Sequence, residues 1–149
     1  MGALAAYTEK YEYDDPWGQS ATEAEKKFGV LRASRRIFNN SDAGLLFSGM
    51  SVNNIEYNYS AGLDASLRKG PNQLILQGAY SEAQRPAGLD TVKNNGWAVS
   101  TGYRGFVNKF LTMASYEAIG ESFDVGDIGF VPWAGRQQAL LISGPFWTF

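Results

Sequence analysis

Between positions 57 and 68 apolar and polar residues change places at every step. Tyr57, Tyr59, Ala61, Leu63, Ala65 and Leu67 fall on one face of an extended chain, and Asn58, Ser60, Gly62, Asp64, Ser66 and Arg68 fall on the other. Side chains alternate across a strand with a period of two, whereas a helix would mix both sets on every side. The stretch is predicted to be a strand. The pattern recurs in 73–81, where Leu74, Leu76, Gly78 and Tyr80 oppose Gln73, Ile75, Gln77, Ala79 and Ser81. It recurs again in 97–104, with Trp97, Val99, Thr101 and Tyr103 opposite Ala98, Ser100, Gly102 and Arg104. Weaker alternation marks 3–13, 28–38, 44–51, 109–119 and 136–149 as further strands. The sum is about eight strands, several about ten residues long, the length a tilted strand needs to cross a bilayer.

The connections suggest a rhythm. Long polar segments are expected at 14–27, 82–96 and 120–135, a modest one near 52–54, and short ones at 39–43, 69–72 and 105–108. Short turns on one rim and longer loops on the other are the habit of a transmembrane barrel. The predicted fold is therefore all-β: one domain over 1–149, an antiparallel up-and-down meander that forms a transmembrane β-barrel or a segment of a larger one. A soluble β-barrel with the apolar face as its core, binding a small apolar ligand, is the alternative. Two features favour the membrane. The polar faces gather Asn58, Ser60, Asp64, Ser66, Arg68, Gln77 and Arg104, as a wet or ion-paired lumen would, and the opposite faces collect Tyr, Trp, Leu and Ala with aromatics near strand ends.

Composition narrows the chemistry. The 149 residues include no cysteine and no histidine, which removes disulfides, thiol and imidazole catalysis, and thiolate or imidazole metal sites. No enzyme and no cofactor is expected. Thirteen Lys and Arg scattered among fifteen acids give a net charge of −2 and no basic stripe for nucleic acid. Mean hydropathy is mildly polar, and no run approaches the roughly 18 apolar residues of a membrane helix, a test that alternating strands escape. The expected location is the bacterial outer membrane, with lipid and a saccharide or other polar solute as partners. The opening Met1-Gly2-Ala3-Leu4 lacks the basic and apolar regions of an export signal, so either such a signal was removed or, as is favoured, this is an internal segment of a longer chain.

Candidate lumen residues are Arg32, Arg36, Asp64, Arg68, Arg104 and Glu117. They are expected to line the interior, where Arg32 and Arg36 pair with Asp64 or Glu117, or to attract an anionic solute or acidic polysaccharide. Trp17 and Trp133 lie in expected loops and are candidate sugar contacts, while Trp97 and Trp147 suit an interfacial girdle. Glu121, Asp124 and Asp127 offer oxygen ligands, but their spacing fits no calcium loop, and nothing in it supports a glycosidase pair. Gly102-Tyr103-Arg104-Gly105 lacks the glycine spacing and following helix of a phosphate loop. Phe149 shares a face with Trp147 on the last strand, where Pro145 fits only an edge or terminal position.

The run Phe123-Asp124-Val125-Gly126-Asp127-Ile128-Gly129-Phe130-Val131-Pro132 resembles a Gly-Phe-Val-Pro signature of one outer-membrane family. Gly29-Val30-Leu31-Arg32-Ala33-Ser34-Arg35-Arg36, followed by Ala43-Gly44-Leu45-Leu46, resembles an upstream hairpin of the same domain. That family is the uncharacterised C-terminal barrel domain of carbohydrate-binding family-nine-like proteins. The resemblance implies an outer-membrane barrel of more than eight strands behind an N-terminal sugar-binding-like module, which this chain lacks. It implies no catalytic residues. Pro132-Trp133 departs from the pattern, which places a basic residue after the proline.

Overall fold

The computed structural model describes residues 1–14, 16–52, 55–127 and 133–146, apart from the side chain of Val107. Ten strands are present among them: β1 Gly2–Thr8, β2 Tyr11–Asp14, β3 Ser20–Glu23, β4 Lys26–Ile37, β5 Ser41–Val52, β6 Glu56–Lys69, β7 Asn72–Ala87, β8 Asp90–Val107, β9 Phe110–Ile119 and β10 Arg136–Pro145. Eight of them form one antiparallel sheet in the order β1-β4-β5-β6-β7-β8-β9-β10, and β2 and β3 pair apart as a small hairpin. The expected all-β up-and-down meander is therefore present. The sheet is open: among the described residues β1 and β10 pair on one side only, and not with each other.

Local chemistry makes the turns of one rim tight. Asn108 and Lys109 both take positive φ, 49° and 69°, the type I′ geometry whose twist matches that of the flanking strands. Gly70, at φ 56°, stands first in a two-residue turn of the same rim at the place where a side chain would be strained, and Gly88, at φ 71°, does the same on the opposite rim. Phe38, Asn39 and Asn40 complete the short rim between β4 and β5.

Three sequence expectations need correction. The long loop at 82–96 is absent, because β7 and β8 stay paired out to Ala87↔Asp90 and turn in two residues. From Pro86 to Asn95 this extension is exposed on both faces, and its few apolar residues do not alternate, so it lacks the apolar–polar contrast that marks a half-buried strand. The predicted strand 3–13 breaks after Thr8, since Tyr11 to Asp14 leave the main sheet to pair with Ser20 to Glu23. For the same reason the expected loop 14–27 contains β3 and the start of β4. Short and long connections thus share the second rim rather than alternating cleanly with the first. Asn53 and Asn54 of the modest connection lie outside the described residues, as do 147–149 of the last predicted strand and the Ile128 to Pro132 half of the signature run. Pro145 sits opposite Phe110 at the end of an edge strand, where its missing N–H interrupts no central ladder.

The register carries one row of side chains across the whole sheet: Gly2, Arg32, Leu46, Gly62, Ala79, Ala98, Ile119 and Arg136 all face the same way. Residues of β4 to β9, from Arg32 to Ile119, line one hollow of about 300 Å³ on that side. Laid flat at the usual ~4.8 Å per strand, those strands would span ~24 Å. The sheet therefore curls about its polar face, with small residues at the middle of the curl. Little is buried. Met50, Val52, Ala83 and Phe123 make a small apolar cluster at the long-loop end, while Leu45, Leu63, Tyr80, Trp97 and Leu141 stand exposed on the other face. The accessible surface is 10999 Å², against roughly 7,500 Å² for a compact monomer of this mass.

Candidate functional site

The polar face of β4 to β10 holds the charges that the alternation assigned to it, arranged in three zones along the strands. In the middle zone Arg32 Nη2 donates to both carboxylate oxygens of Asp64, at 3.0 and 2.9 Å. The two residues lie on strands separated by β5, and they meet directly over Gly44, where a Cβ would stand 2.8 Å from Asp64 Oδ2. A glycine is what leaves that room. The expected Arg32–Asp64 pair is thus present. Glu117 shares the cross-strand row of Asp64, Gln77 and Ser100, but its partner is Arg136 at 2.9 Å rather than Arg32 or Arg36, with Gln138 Nε2 also donating at 3.3 Å. Arg136 stands on the neighbouring strand and wins by proximity. Its guanidinium also lies 5.2 Å from the ring centroid of Trp133, a cation–π distance.

Toward the short turns, Arg36, Asp42 and Arg68 share a hollow of about 230 Å³ with Asn40 and Gly70. The Arg68–Asp42 pair is loose, at 4.0 Å. Arg104 follows in the row Arg68–Gln73–Arg104. These three predicted lumen residues are neighbours on one face, and the expected pairing of Arg36 with Asp64 or Glu117 does not occur.

Toward the long loops, residues 120–127 fold back over the polar face. Phe123 is buried there with its backbone against Gly96, the Asp124 N–H donates to Ser81 Oγ at 3.0 Å, and Asn58 Nδ2 donates to Asp127 Oδ2 at 3.0 Å. Arg85 bridges both aspartates, holding Asp124 through Nη1 and Asp127 through Nη2 at 2.8 Å. The Arg85 guanidinium holds the Asp124 carboxyl below its ordinary value, helped by the Gly126 N–H that donates to it. Asp124 and Asp127 are therefore occupied by an arginine, and among the described residues no group of acids is arranged to hold a metal ion. Sequence reasoning missed Arg85, which sat in an expected loop, and Arg136, taken as a strand boundary.

Trp17 lies in the turn of the β2–β3 hairpin, 84% exposed, and Trp133 precedes β10. Both belong to the long-loop rim, as their candidate role as sugar contacts requires. Comparison with protein-family models, with curated proteins and with solved structures finds no match.

Proposed function

We propose that the chain forms the wall of a bacterial outer-membrane β-barrel, or a segment of a larger one. Its apolar face meets lipid, and its polar face lines a lumen that binds or passes a saccharide or other polar solute. The observation that carries this reading is the separation of the faces row by row. Across the middle of β5 to β10 the apolar face bears no charge and presents Leu45, Phe47, Tyr59, Leu63, Tyr80 and Trp97, while the other side holds the arginines and carboxylates. Lipid leaves no backbone polar group unsatisfied, so the reading requires β1 and β10 to pair, with each other or with further strands. The edges are guarded sparsely for solvent: β1 carries no charge, and β10 carries none after Arg136, with Pro145 at its end. As a scaffold the same wall would anchor a carbohydrate-binding module, the role that the family resemblance implies.

The test is quenching of Trp97 fluorescence by brominated lipid after the chain is refolded into vesicles, with a Trp97→Phe variant to identify the signal. Quenching at depth supports the proposal. A chain that stays monomeric and folded in buffer without detergent sinks it. That outcome would favour the soluble alternative, for which a hollow of about 760 Å³ is available at the short-turn end, lined by Phe38, Leu67, Leu74 and Tyr103 together with polar residues such as Arg68 and Gln73. Ion conductance and glycan binding separate transport from anchoring, since an anchor alone does neither.

A further inference from the structure

Charge is unevenly shared between the two ends of the strands. Arg35, Arg36, Arg68, Lys69, Arg104 and Lys109 gather at the short-turn end, where Asp42 is the one carboxylate among the described residues. At the long-loop end the balance reverses, with Glu9, Glu12, Glu23, Glu25, Asp124 and Asp127 among the acids. The middle arginines, Arg32 and Arg136, each have a carboxylate of their own. Arg36 and Arg104 have none: neither guanidinium makes an ion pair or hydrogen bond with the described residues, and Asp42 reaches only Arg68, at 4.0 Å.

We infer that the short-turn end of the polar face is a binding site for a soluble oxyanion, a carboxylate, sulfate or phosphate group, held among Arg36, Arg68 and Arg104. The inference deepens the proposed function by assigning a substrate class to the solute-facing side. Three observations converge on it. Arg68 and Arg104 flank Gln73 in one cross-strand row, two strand spacings or ~10 Å apart, a gap that two arginine side chains can close from either side. Arg36 and Arg68 already line a common hollow with the Asn40 side chain beside them. The forked donors of arginine match the paired oxygens of such a group, and two of the three forks are free. These arginines face away from the apolar side, where Arg35 and the turn lysines stand closer to any lipid headgroup, so a dissolved anion is the occupant the placement favours.

The test uses the full chain refolded in detergent micelles, with the arginine Nε–Hε signals followed by NMR as inorganic phosphate is added. Saturable shifts at Arg36, Arg68 and Arg104 are expected, with Arg35 unmoved. Arg36→Gln and Arg104→Gln should each weaken binding about tenfold, the loss of one charge-assisted hydrogen bond, and Arg35→Gln should leave it unchanged. Circular dichroism of each variant checks that the sheet is retained. A parallel arm replaces phosphate with phosphatidylglycerol or phosphatidylcholine vesicles. Shifts at the same arginines with the anionic vesicles but not with phosphate overturn the soluble occupant in favour of a headgroup, and no shift in either arm overturns the site. Trp97 quenching reports separately on the membrane reading, so a quenched chain that ignores phosphate fails this inference alone. A chain that binds phosphate without quenching fails only the membrane reading.

Discussion

Leu63 and Asp64 are neighbours on β6 and live in opposite surroundings. Leu63 is 61% exposed on a face of aliphatic and aromatic side chains, while one step on Asp64 accepts two hydrogen bonds from Arg32. The two share a strand and a backbone conformation, and what differs is the face each side chain takes: Asp64 is half-buried against its partner, and Leu63 stands out from the sheet. One face groups charges so that they satisfy one another. The other omits them across its middle. A sheet with a solvated face and a packed core would show this contrast too, but here no element among the described residues packs on the uncharged side, and the accessible surface is correspondingly large.

The sharpest way to break this comparison is to put the same charge on each side. In bilayer or detergent, Leu63→Arg is expected to cost about 2–4 kcal/mol of folding stability, as a guanidinium facing lipid at mid-depth does. Gln77→Arg, beside Asp64 on the other face, should cost less than about 1 kcal/mol, within the usual range for surface substitutions. Urea titration of both variants reads the difference, and equal costs would mean that the two faces see the same medium.

A smaller effect is expected where the polar face is covered. A Cβ on Gly96 would stand 2.2 Å from the backbone nitrogen of Phe123. Gly96→Ala must therefore push the 120–127 segment outward, at about 1–3 kcal/mol for an overpacked contact. Limited proteolysis should cut that segment in the variant before the parent, while the cross-strand pairing of β6 and β7 stays protected from hydrogen exchange. The smallest effect is set by pH. Arg85 lowers the Asp124 carboxyl from its ordinary 3.8, so this latch stabilises the fold above that value and is lost as pH falls through the lower value of the folded chain. Hydrogen exchange of the Asp124 and Gly126 amides should quicken only in that acid window, and Arg85→Met should abolish the dependence.

The same contrast of environments decides what could be read from the sequence. β6, the middle of β7 and the middle of β8 were legible because their alternate residues differ sharply, apolar on one face and polar on the other. Arg32–Asp64 followed from that, as both residues fall on the polar side and carry opposite charges. Where both faces of a strand carry similar residues the signal fades. The outer rungs of β7 and β8 mix polar and small apolar residues on each side and looked like a loop, and β1 and the later part of β10 are mostly apolar on each side and alternated weakly. The Arg85 latch was illegible for another reason: its partners lie 39 and 42 residues away, brought together only by a segment that folds back across the sheet. Arg136 took Glu117 from Arg36 because adjacent-strand distance, which depends on register, outranks matching charge.

The two-residue turn at Gly88 and Leu89 makes the β7–β8 hairpin a stalk. Beyond the Tyr57↔Gln84 pair it continues through Arg85↔Val92, Pro86↔Thr91 and Ala87↔Asp90 with no further pairing to β6, and Leu89 at its tip is fully exposed. Arg85 is also tied to Asp124 and Asp127, but beyond it each rung is fastened, among the described residues, only to the rung below, so a peptide spliced between Gly88 and Leu89 would lengthen the stalk without reaching Arg85 or the rows beneath. The molecule therefore carries its own mounting point, where an epitope or a fluorophore can be set well clear of the sheet.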